Sequence, residues 1–417
     1  MSARIGPSVR TIAEGTPYSS QLWYGVCQSF EDLPFGQAEW DAASERLGGS
    51  VYMTWDWVRT WWDFYGEGSR LALFWFTRDG EIVGLLPLYI RRLGPPGLGL
   101  TVARLVGANI PPKVFNPPIC SDLRDACLGI MADVLTRQGC DLISLGPVSQ
   151  AHPAWSRWDP CAYAAAAPFQ AERVSTGVHT LFRLANDLET YMARLGKNEQ
   201  KNRRKYELKM LKKEYPVRVL TLQEPGTALE DAFHRFVRLH RAQWQAEGLT
   251  GHFGGWPRGA EYNLALVRTQ APHGRVRLME IWAGDELVCG QYAFAWGNGW
   301  FWELPARSPD PRWQRFSLGP SGLMMLFAQA IQEGYSFVEG GLGHYDYKLR
   351  LGGEEHPVWA VRFLKKGRAP ALRRLVHSCI QRALRIGYHK VWYRRIQPRL
   401  PDAWKRPQWR LWLRYDF

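Results

Sequence analysis

SLGPSGLMMLFAQAIQEGYSFVEGGLGHYDYK, residues 317–348, predicts a helix that is followed at once by a strand. Apolar residues recur at helical spacing from Leu323 to Ile331, and Gly334 is a typical residue to end such a helix. The strand SFVEGG ends in glycines, and the polar run YDYK comes next. Chain and ligand can approach each other closely at such glycines, so this segment is a candidate site.

Two hairpins with the same pattern lie far apart in the chain. Asp79-Gly80 joins two apolar runs within residues 70–92, which is a strong hairpin signal. Residues 275–307 show the same pattern with a third strand after Gly299. The two hairpins align at a spacing of 275 − 70 = 205 residues.

A second repeat follows each hairpin. Residues 131–147 give a helix, a glycine and a short strand, which is also the order of residues 323–341. Two repeats in one order predict an α/β protein with a tandem pair of related domains. The predicted segments are an N-terminal domain, a C-terminal domain and a basic helical tail, at 1–160, 161–366 and 367–417.

Composition narrows the class of protein. Of the 417 residues, 46% are apolar and 22% are charged, which is typical of a globular chain and excludes wholesale disorder. Seven cysteines without a CxxC pair argue against a disulfide framework and a zinc site. The N-terminus has no apolar signal region, and no stretch reaches the ~18 apolar residues of a membrane span. The predicted location is therefore the cytoplasm.

The start of the helix at 317–322 is a candidate phosphate site. Its unpaired backbone N–H groups and the positive end of the helix dipole favour an anion. The predicted contacts are Arg315, Ser317, Gly319, Ser321 and Gly322. An ordinary capped helix explains the same residues and stays open as the alternative.

Polar groups that could move a proton lie at two strand ends. Glu303 follows an aromatic strand and is a candidate general base, although a surface carboxylate is the alternative. Tyr347 could protonate a leaving group, and Lys348 or His344 could orient or activate a nucleophile. A tight turn with exposed polar residues is the alternative for this second segment.

Residues 317–366 resemble the closing half of the GNAT-like acyltransferases grouped with the cellulose-biosynthesis protein CelD, a family that includes BioF2-like proteins. The resemblance lies in Pro320-Ser321-Gly322 at a helix start, Gly340-Gly341 at a strand end, and Tyr347-Lys348. It extends upstream to RRKYELKMLKK and LHRAQWQAEG, with His240 and Trp244 in matching places. It covers residues 180–365 well and 20–150 loosely. FemAB-like aminoacyl transferases are similar more distantly, because they also have two such halves.

The resemblance implies two GNAT-like domains with mixed central sheets flanked by helices. It implies an acyl-CoA-dependent N- or O-acyltransferase, with acetyl-CoA or another acyl-CoA as co-substrate and no metal. The acceptor would be a sugar, a glycan precursor or an amine, in envelope polysaccharide assembly. Two alternatives stay open: a FemAB-like transferase that uses aminoacyl-tRNA, and a non-catalytic scaffold that docks at a membrane.

Site roles follow from the resemblance. Glu303 or His344 would be the base and Tyr347 the acid, and Lys348 would hold the acceptor or polarise the carbonyl. The residues expected to bind the acceptor are His240, Trp244, Glu339 and Asp346.

Most of the net charge of +14 lies at the C-terminus. Residues 368–417 contain 13 Lys and Arg against two Asp, a net charge of 13 − 2 = +11. Arginines beside an apolar stripe fit an amphipathic helix on an anionic membrane surface, which would place the protein peripherally at the inner membrane. A packed extension and a site for single-stranded nucleic acid also fit. Nucleic acid is otherwise expected only if tRNA is the donor.

Overall fold

The computed structural model describes residues 10–11, 22–94, 97–108, 113–401 and 404. The chain forms two compact units. Unit 1 comprises residues 1–177, 357–390 and 410–417, and unit 2 comprises residues 178–356 and 391–409. The domain boundaries predicted from the sequence stay predictions.

The secondary structure alternates between strands and helices. The strands are β1 (Arg10–Thr11), β2 (Leu22–Cys27), β3 (Arg70–Arg78), β4 (Glu81–Leu93), β5 (Leu100–Leu105), β6 (Leu142–Ser149), β7 (Phe169–Arg183), β8 (Val217–Leu222), β9 (Val276–Ala283), β10 (Glu286–Trp296), β11 (Gly299–Arg307), β12 (Phe337–Leu342) and β13 (Gly353–Lys365). The helices are α1 (Gln37–Arg46), α2 (Trp55–Tyr65), α3 (Arg124–Arg137), α4 (Pro153–Ser156), α5 (Leu188–Ala193), α6 (Lys197–Lys201), α7 (Arg203–Tyr206), α8 (Lys209–Glu214), α9 (Thr227–Ala246), α10 (Gly251–Gly255), α11 (Gly259–Gln270), α12 (Leu318–Gln332), α13 (Asp346–Arg350) and α14 (Arg368–Arg385).

Unit 1 contains a mixed sheet in the order β1-β2-β3-β4-β5-β6-β13. The predicted hairpin is the pair β3 and β4, and it turns at Asp79 and Gly80 with φ of 53° and 83°. Positive φ at both positions matches the right-handed twist of the flanking strands, which explains the Asp-Gly sequence. β5 and β6 run parallel, and α3 connects them.

Unit 2 contains a mixed sheet in the order β7-β12-β11-β10-β9-β8. The three strands predicted within residues 275–307 are β9, β10 and β11, which form antiparallel pairs. β11 and β12 run parallel, and α12 connects them. The apolar face of α12 is buried, with Phe327 against Phe182 of β7 at a ring-centroid distance of 4.8 Å.

The two units repeat one order of elements. β3-β4-β5-α3-β6 in unit 1 corresponds to β9-β10-β11-α12-β12 in unit 2, and the last two strands of each set are a parallel pair. This repeat confirms the prediction of a tandem α/β architecture with mixed sheets. The apolar periodicity of residues 229–248 also predicts a helix, and the structure shows it as α9.

The many Lys and Arg of residues 188–215 follow a pattern that predicts a single basic helix, and this prediction is wrong. The structure divides it into α5, α6, α7 and α8, each of four to six residues. Gly196 begins α6 in an extended conformation, and Leu208 is left-handed at φ 57°, which interrupts the helical hydrogen bonds before α8. Leu208 and Leu211 are buried, so the segment follows the surface of unit 2 closely.

The predicted helical tail is α14, which continues as a π-helix at Ile386–Ile396. In unit 1, Arg373 of α14 donates two hydrogen bonds to the buried carboxylate of Asp141, one of them 2.9 Å long. Arg374 donates to the Lys365 carbonyl at 2.8 Å. Within the described part of the chain, the helices are too short or too polar to cross a membrane. The part of the tail at 405–417 lies outside the described residues.

Candidate active site

β11 and β12 separate after a short parallel ladder. Three residue pairs are in register, and the last of them joins Phe301 to Glu339. β11 continues six residues further, to Arg307, and β12 pairs with none of these six residues. Among the described residues, β12 therefore takes none of the ladder positions along this part of β11.

Glu303 lies at a β-bulge in this open part of β11. Tyr292 of β10 pairs with Leu304 and Ala293 pairs with Trp302, which leaves Glu303 as the extra residue. A bulge changes the direction of the side chain it carries, and bulges are common beside active sites. Glu303 is half-buried, and its carboxylate is a secondary cause, after burial, of the raised pKa of Tyr292.

A second bulge lies in β12 at Gly340 and Gly341. Four residues of β12, from Glu339 to Leu342, lie opposite only three residues of β7, from Leu181 to His179. The buried carboxylate of Glu339 accepts a hydrogen bond from the Gly341 N–H at 3.0 Å and another from His179 Nδ1 at 3.1 Å. Gly341 has φ of 79°, which an L side chain rarely adopts. Glu339 therefore stabilises the bulge from inside the unit.

Lys348 completes this cluster from α13. Only 3% of Lys348 is exposed, and its Nζ donates to the Gly341 carbonyl at 3.4 Å. The same Nζ lies 4.6 Å from the centroid of the Tyr345 ring. Burial lowers the pKa of Lys348 to about 8, although the carboxylates of Glu339 and Glu355 oppose this shift. A desolvated cation is thus held at the end of β12.

The other polar residues of YDYK lie nearer to solvent. Tyr347 is half-buried against the core of unit 2, and burial raises the pKa of its phenol to about 12. The side chains of His344 and Asp346 are 61% and 83% exposed. His344 donates to Glu355 at 2.7 Å, and Glu355 and Asp346 raise the pKa of its imidazole. A raised pKa keeps more of His344 protonated near neutral pH, which opposes a role as base.

The predicted phosphate site lies at the start of α12. Ser317 is left-handed, with φ 54° and ψ 46°, and is the residue that begins the helix. A Cβ atom added at Gly319 would meet only Arg307 Cδ, at 3.9 Å, so the Gly319 backbone can be approached. Arg315 forms an ion pair with Glu214 of α8. The short basic helices α7 and α8 thus lie beside this helix start.

Ser321 and Gly322 face inward. The fully buried hydroxyl of Ser321 lies within 3.2 Å of three backbone carbonyls, including that of Lys205. A Cβ at Gly322 would lie 2.6 Å from Cys289 Sγ and closer still to Gln291 Nε2. These residues fix α12 against α7 and β10, so any contribution to ligand binding is through the position of the helix.

His240 and Trp244 form a separate aromatic cluster on α9. Trp244 Nε1 donates to His240 Nε2 at 3.0 Å, and His252 Nδ1 lies 3.1 Å from the same nitrogen. Burial and the neighbouring His252 lower the pKa of His240 to about 3, so its imidazole is neutral. One turn further along α9, Gln243 accepts the Arg307 N–H at 3.0 Å, which connects α9 to the end of β11.

The structure brings Glu339 and Lys348 to the backbone of Gly341, places Tyr347 beside Lys348 on α13, and places Glu303 beyond the same end of the parallel pair. Sequence reasoning missed His179, Glu355 and His252 as members of these clusters. A histidine and a glutamate inside apolar strands are the signal that could have found the first two, because a buried polar group requires a partner. Within the described ranges, no group of three or more His, Cys, Asp or Glu side chains could hold a metal ion.

The sequence comparison identifies the domain around this site. Residues 198–349 match the family described as Acetyltransferase (GNAT) domain. This match lies within unit 2 and covers 349 − 198 + 1 = 152 of the 417 residues. No curated protein matches the sequence.

Several solved structures resemble this chain at low sequence identity. FemX superposes with a TM-score of 0.59 and 11% identity, over 82% of this chain and 99% of that one. A tandem GNAT protein from the clavulanic acid biosynthesis pathway gives a TM-score of 0.43 and 13% identity, over 83% and 99%. L-PGS from Bacillus licheniformis gives 0.48 and 12%, over 81% and 95%. The predictions of a GNAT-like α/β fold and of a GNAT-type acyltransferase are confirmed.

Proposed function

We propose that this protein transfers an acyl group from acyl-CoA to an amine or hydroxyl group of an acceptor. The acceptor would be a sugar, a glycan precursor or another amine, and the reaction would serve envelope polysaccharide assembly. The observation that carries the proposal is Lys348, a buried cation at the bulge of β12 where β11 and β12 separate. The thioester of the donor would enter between the two strands. Its carbonyl oxygen would then lie near a positive charge that water does not screen.

The reaction is a direct displacement. The acceptor N–H or O–H attacks the thioester carbonyl, the C–S bond breaks, and the acyl group stays on the acceptor. Glu303 would take the acceptor proton, and Tyr347 would protonate the departing thiolate. The raised pKa of Tyr347 keeps its phenol protonated until a basic group forms beside it. Lys348 would stabilise the negative charge on the carbonyl oxygen, which is usually the largest electrostatic contribution to such catalysis.

The donor's phosphates would bind at the start of α12. Ser317 and Gly319 present their backbone there, Arg315 lies just before, and Ser321 and Gly322 hold the helix in position. For the acceptor we propose Glu339 and Asp346 beside Lys348, with His240 and Trp244 on α9.

An aminoacyl-tRNA donor is the second candidate. Helices α6, α7 and α8 carry eight Lys and Arg, and α7 contacts the start of α12 through the Lys205 carbonyl. A tRNA has the phosphate density to use this surface, whereas a coenzyme needs only part of it. The partners we propose are thus acyl-CoA and an acceptor, tRNA if it is the donor, and an anionic membrane surface for residues 368–417.

Thermal unfolding of the full chain with and without acetyl-CoA, longer acyl-CoAs and free coenzyme A tests the donor site. At 100 times Kd a ligand adds about 2.7 kcal/mol of stability, which a melting curve detects readily. Gly319→Asp should remove the shift, because the new carboxylate repels phosphate. It should not impair folding, since an acidic residue in the first helical turn is favourable. Gly319→Ala is the matched control and should keep the shift.

No shift with any coenzyme A species would contradict the acyl-CoA donor. Binding of unfractionated tRNA, with an affinity that falls steeply as salt increases, would then support the second candidate. Absence of both would refute the placement of a phosphate-bearing donor at α12.

A further inference from the structure

The outer face of α14 exposes aliphatic side chains. Leu372 and Leu375 are 52% and 61% exposed, and Ile386, directly after the helix, is 54% exposed. The exposed Cys379 lies between them. Leu372, Leu375 and Cys379 recur at i, i+3 and i+7, so they share one face of the helix. Large aliphatic residues clustered in this way on a surface usually mark a contact site.

The opposite face of α14 is fixed to unit 1. Arg373 binds the Asp141 carboxylate, whose side chain is only 2% exposed, and His377 is buried. Breaking a buried ion pair is costly, so α14 cannot easily rotate to bury its outer leucines. The exposed stripe is therefore a stable feature of the surface.

Only cations accompany this stripe. The sequence contains no Asp or Glu between Glu355 and Asp402. Arg368 and Arg382 lie on the same side of α14 as Leu372 and Leu375, and all four residues are exposed. α14 thus combines an apolar stripe with positive charge and contains no acidic residue of its own.

We propose that the outer face of α14 docks on an anionic lipid bilayer. The leucines would enter the boundary between headgroups and acyl chains, and the arginines would extend to the anionic headgroups. A second copy of this chain fits less well, because it would bring arginine against arginine. Single-stranded nucleic acid fits less well too, since α14 offers aliphatic residues and no aromatic ring for base stacking. The inference rests on the membrane association proposed above and assigns it to one face.

Vesicle binding of the full chain tests this surface. Wild type should bind vesicles of phosphatidylglycerol and phosphatidylcholine, and should bind pure phosphatidylcholine far more weakly. Leu372→Glu with Leu375→Glu should weaken binding to the anionic vesicles more than about tenfold, because it removes apolar area and adds repulsion. Val219→Glu with Leu220→Glu is the matched control. This control adds the same two negative charges at exposed apolar residues of β8, and it should bind the anionic vesicles as the wild type does.

The native thiols give an independent readout. A polarity-sensitive fluorophore on Cys379 in Cys161→Ser should shift to the blue with anionic vesicles. The same fluorophore on Cys161, also exposed, in Cys379→Ser should not shift. Equal binding of wild type and the α14 double variant would overturn the proposal. A wild-type dimer that this variant converts to a monomer, without vesicle binding, would overturn it in favour of a second copy.

The increase in melting temperature with acyl-CoA distinguishes the docking proposal from the proposed transferase activity. The α14 double variant should keep the shift, because the substituted residues belong to unit 1 and the proposed donor site belongs to unit 2. Retention also shows that the variant folds. Vesicle binding without any coenzyme A shift would support the docking surface and contradict only the acyl-CoA donor.

Discussion

Replacing Glu339 by Gln should lower the pKa of Lys348 further. The Glu339 carboxylate accepts the Gly341 N–H, and Lys348 donates to the carbonyl of the same residue, so the two charges lie on either side of one peptide segment. Burial lowers the pKa of Lys348 to about 8. Two carboxylates oppose this shift, and Glu339 has the larger effect of the two. Loss of this opposing charge should therefore lower the Lys348 pKa below about 8.

The pKa can be measured without knowing the acceptor. Lysine labelled with ¹³C at Cε gives one signal for each lysine, and the Lys348 signal is the one that disappears in Lys348→Met. Its midpoint should lie near 8 in the wild type, whereas exposed lysines titrate near 10.4. In Glu339→Gln the midpoint should fall by about one unit or more.

Acyl transfer supplies a second readout once an acceptor is found. If the ammonium of Lys348 stabilises the oxyanion, kcat/KM should fall as the pH rises through about 8, and Glu339→Gln should move this fall to lower pH. Glu354→Gln is the control, since this exposed carboxylate pairs with Arg183 and should leave the midpoint unchanged. An ordinary lysine midpoint in the wild type, or a midpoint that rises in Glu339→Gln, would refute the reasoning.

Three further outcomes are expected. Lys348→Met should stabilise the protein at pH 7 by ~3 kcal/mol and abolish acyl transfer, because the wild-type ammonium is disfavoured in the fold. For the same reason the free energy of unfolding of the wild type should rise between about pH 8 and 10.5, and chemical unfolding across this range should show the rise only when Lys348 is present. Arg373→Met should lower the free energy of unfolding by about 3–5 kcal/mol by leaving the buried Asp141 carboxylate without its cation; a urea titration that matches wild type would contradict the structure of α14. Gly322→Ala should destabilise by about 1–3 kcal/mol because its Cβ would overlap Gln291, and a neutral result in the same titration would show that α12 is free to move.

Local signals in the sequence predicted the strands and helices of the fold. Asp79-Gly80 specified a turn that needs positive φ at both residues, and Gly334 ended α12 with φ of 83°. The prediction of one basic helix at 188–215 failed because charge pattern and helix propensity do not show where tertiary contacts interrupt a helix. Leu208 adopts a left-handed conformation that places its side chain in the core of unit 2, and burial there outweighs local preference.

The candidate site was predictable only in part. YDYK and its glycines were visible as an unusual run, and Lys348 is indeed buried at the bulge. The partners of that bulge were not visible, because His179 and Glu339 are 339 − 179 = 160 residues apart and meet only through the pairing of β7 with β12. A local pattern also cannot distinguish a glycine with open space beside it, as at Gly319, from one packed against a neighbouring strand, as at Gly322.

The tandem repeat places the equivalent of this site in unit 1, where the chain itself fills it. The parallel ladder of unit 1 ends at Arg104 and Ser144, as that of unit 2 ends at Phe301 and Glu339. Two residues later, Gly146 has positive φ, as Gly341 has in unit 2.

At this end of β6 the two units differ. The fully buried Phe115, from the connection between β5 and α3, donates its N–H to the Pro147 carbonyl at 2.9 Å. Unit 2 has no inserted connection of this length, since only ten residues separate β11 from α12, against 18 between β5 and α3. The two ladder ends also differ in charge, because position 144 is a serine where position 339 is a buried glutamate. In unit 1 the chain's own backbone therefore closes the end of the parallel pair, whereas in unit 2 the equivalent end carries the buried Glu339 and Lys348.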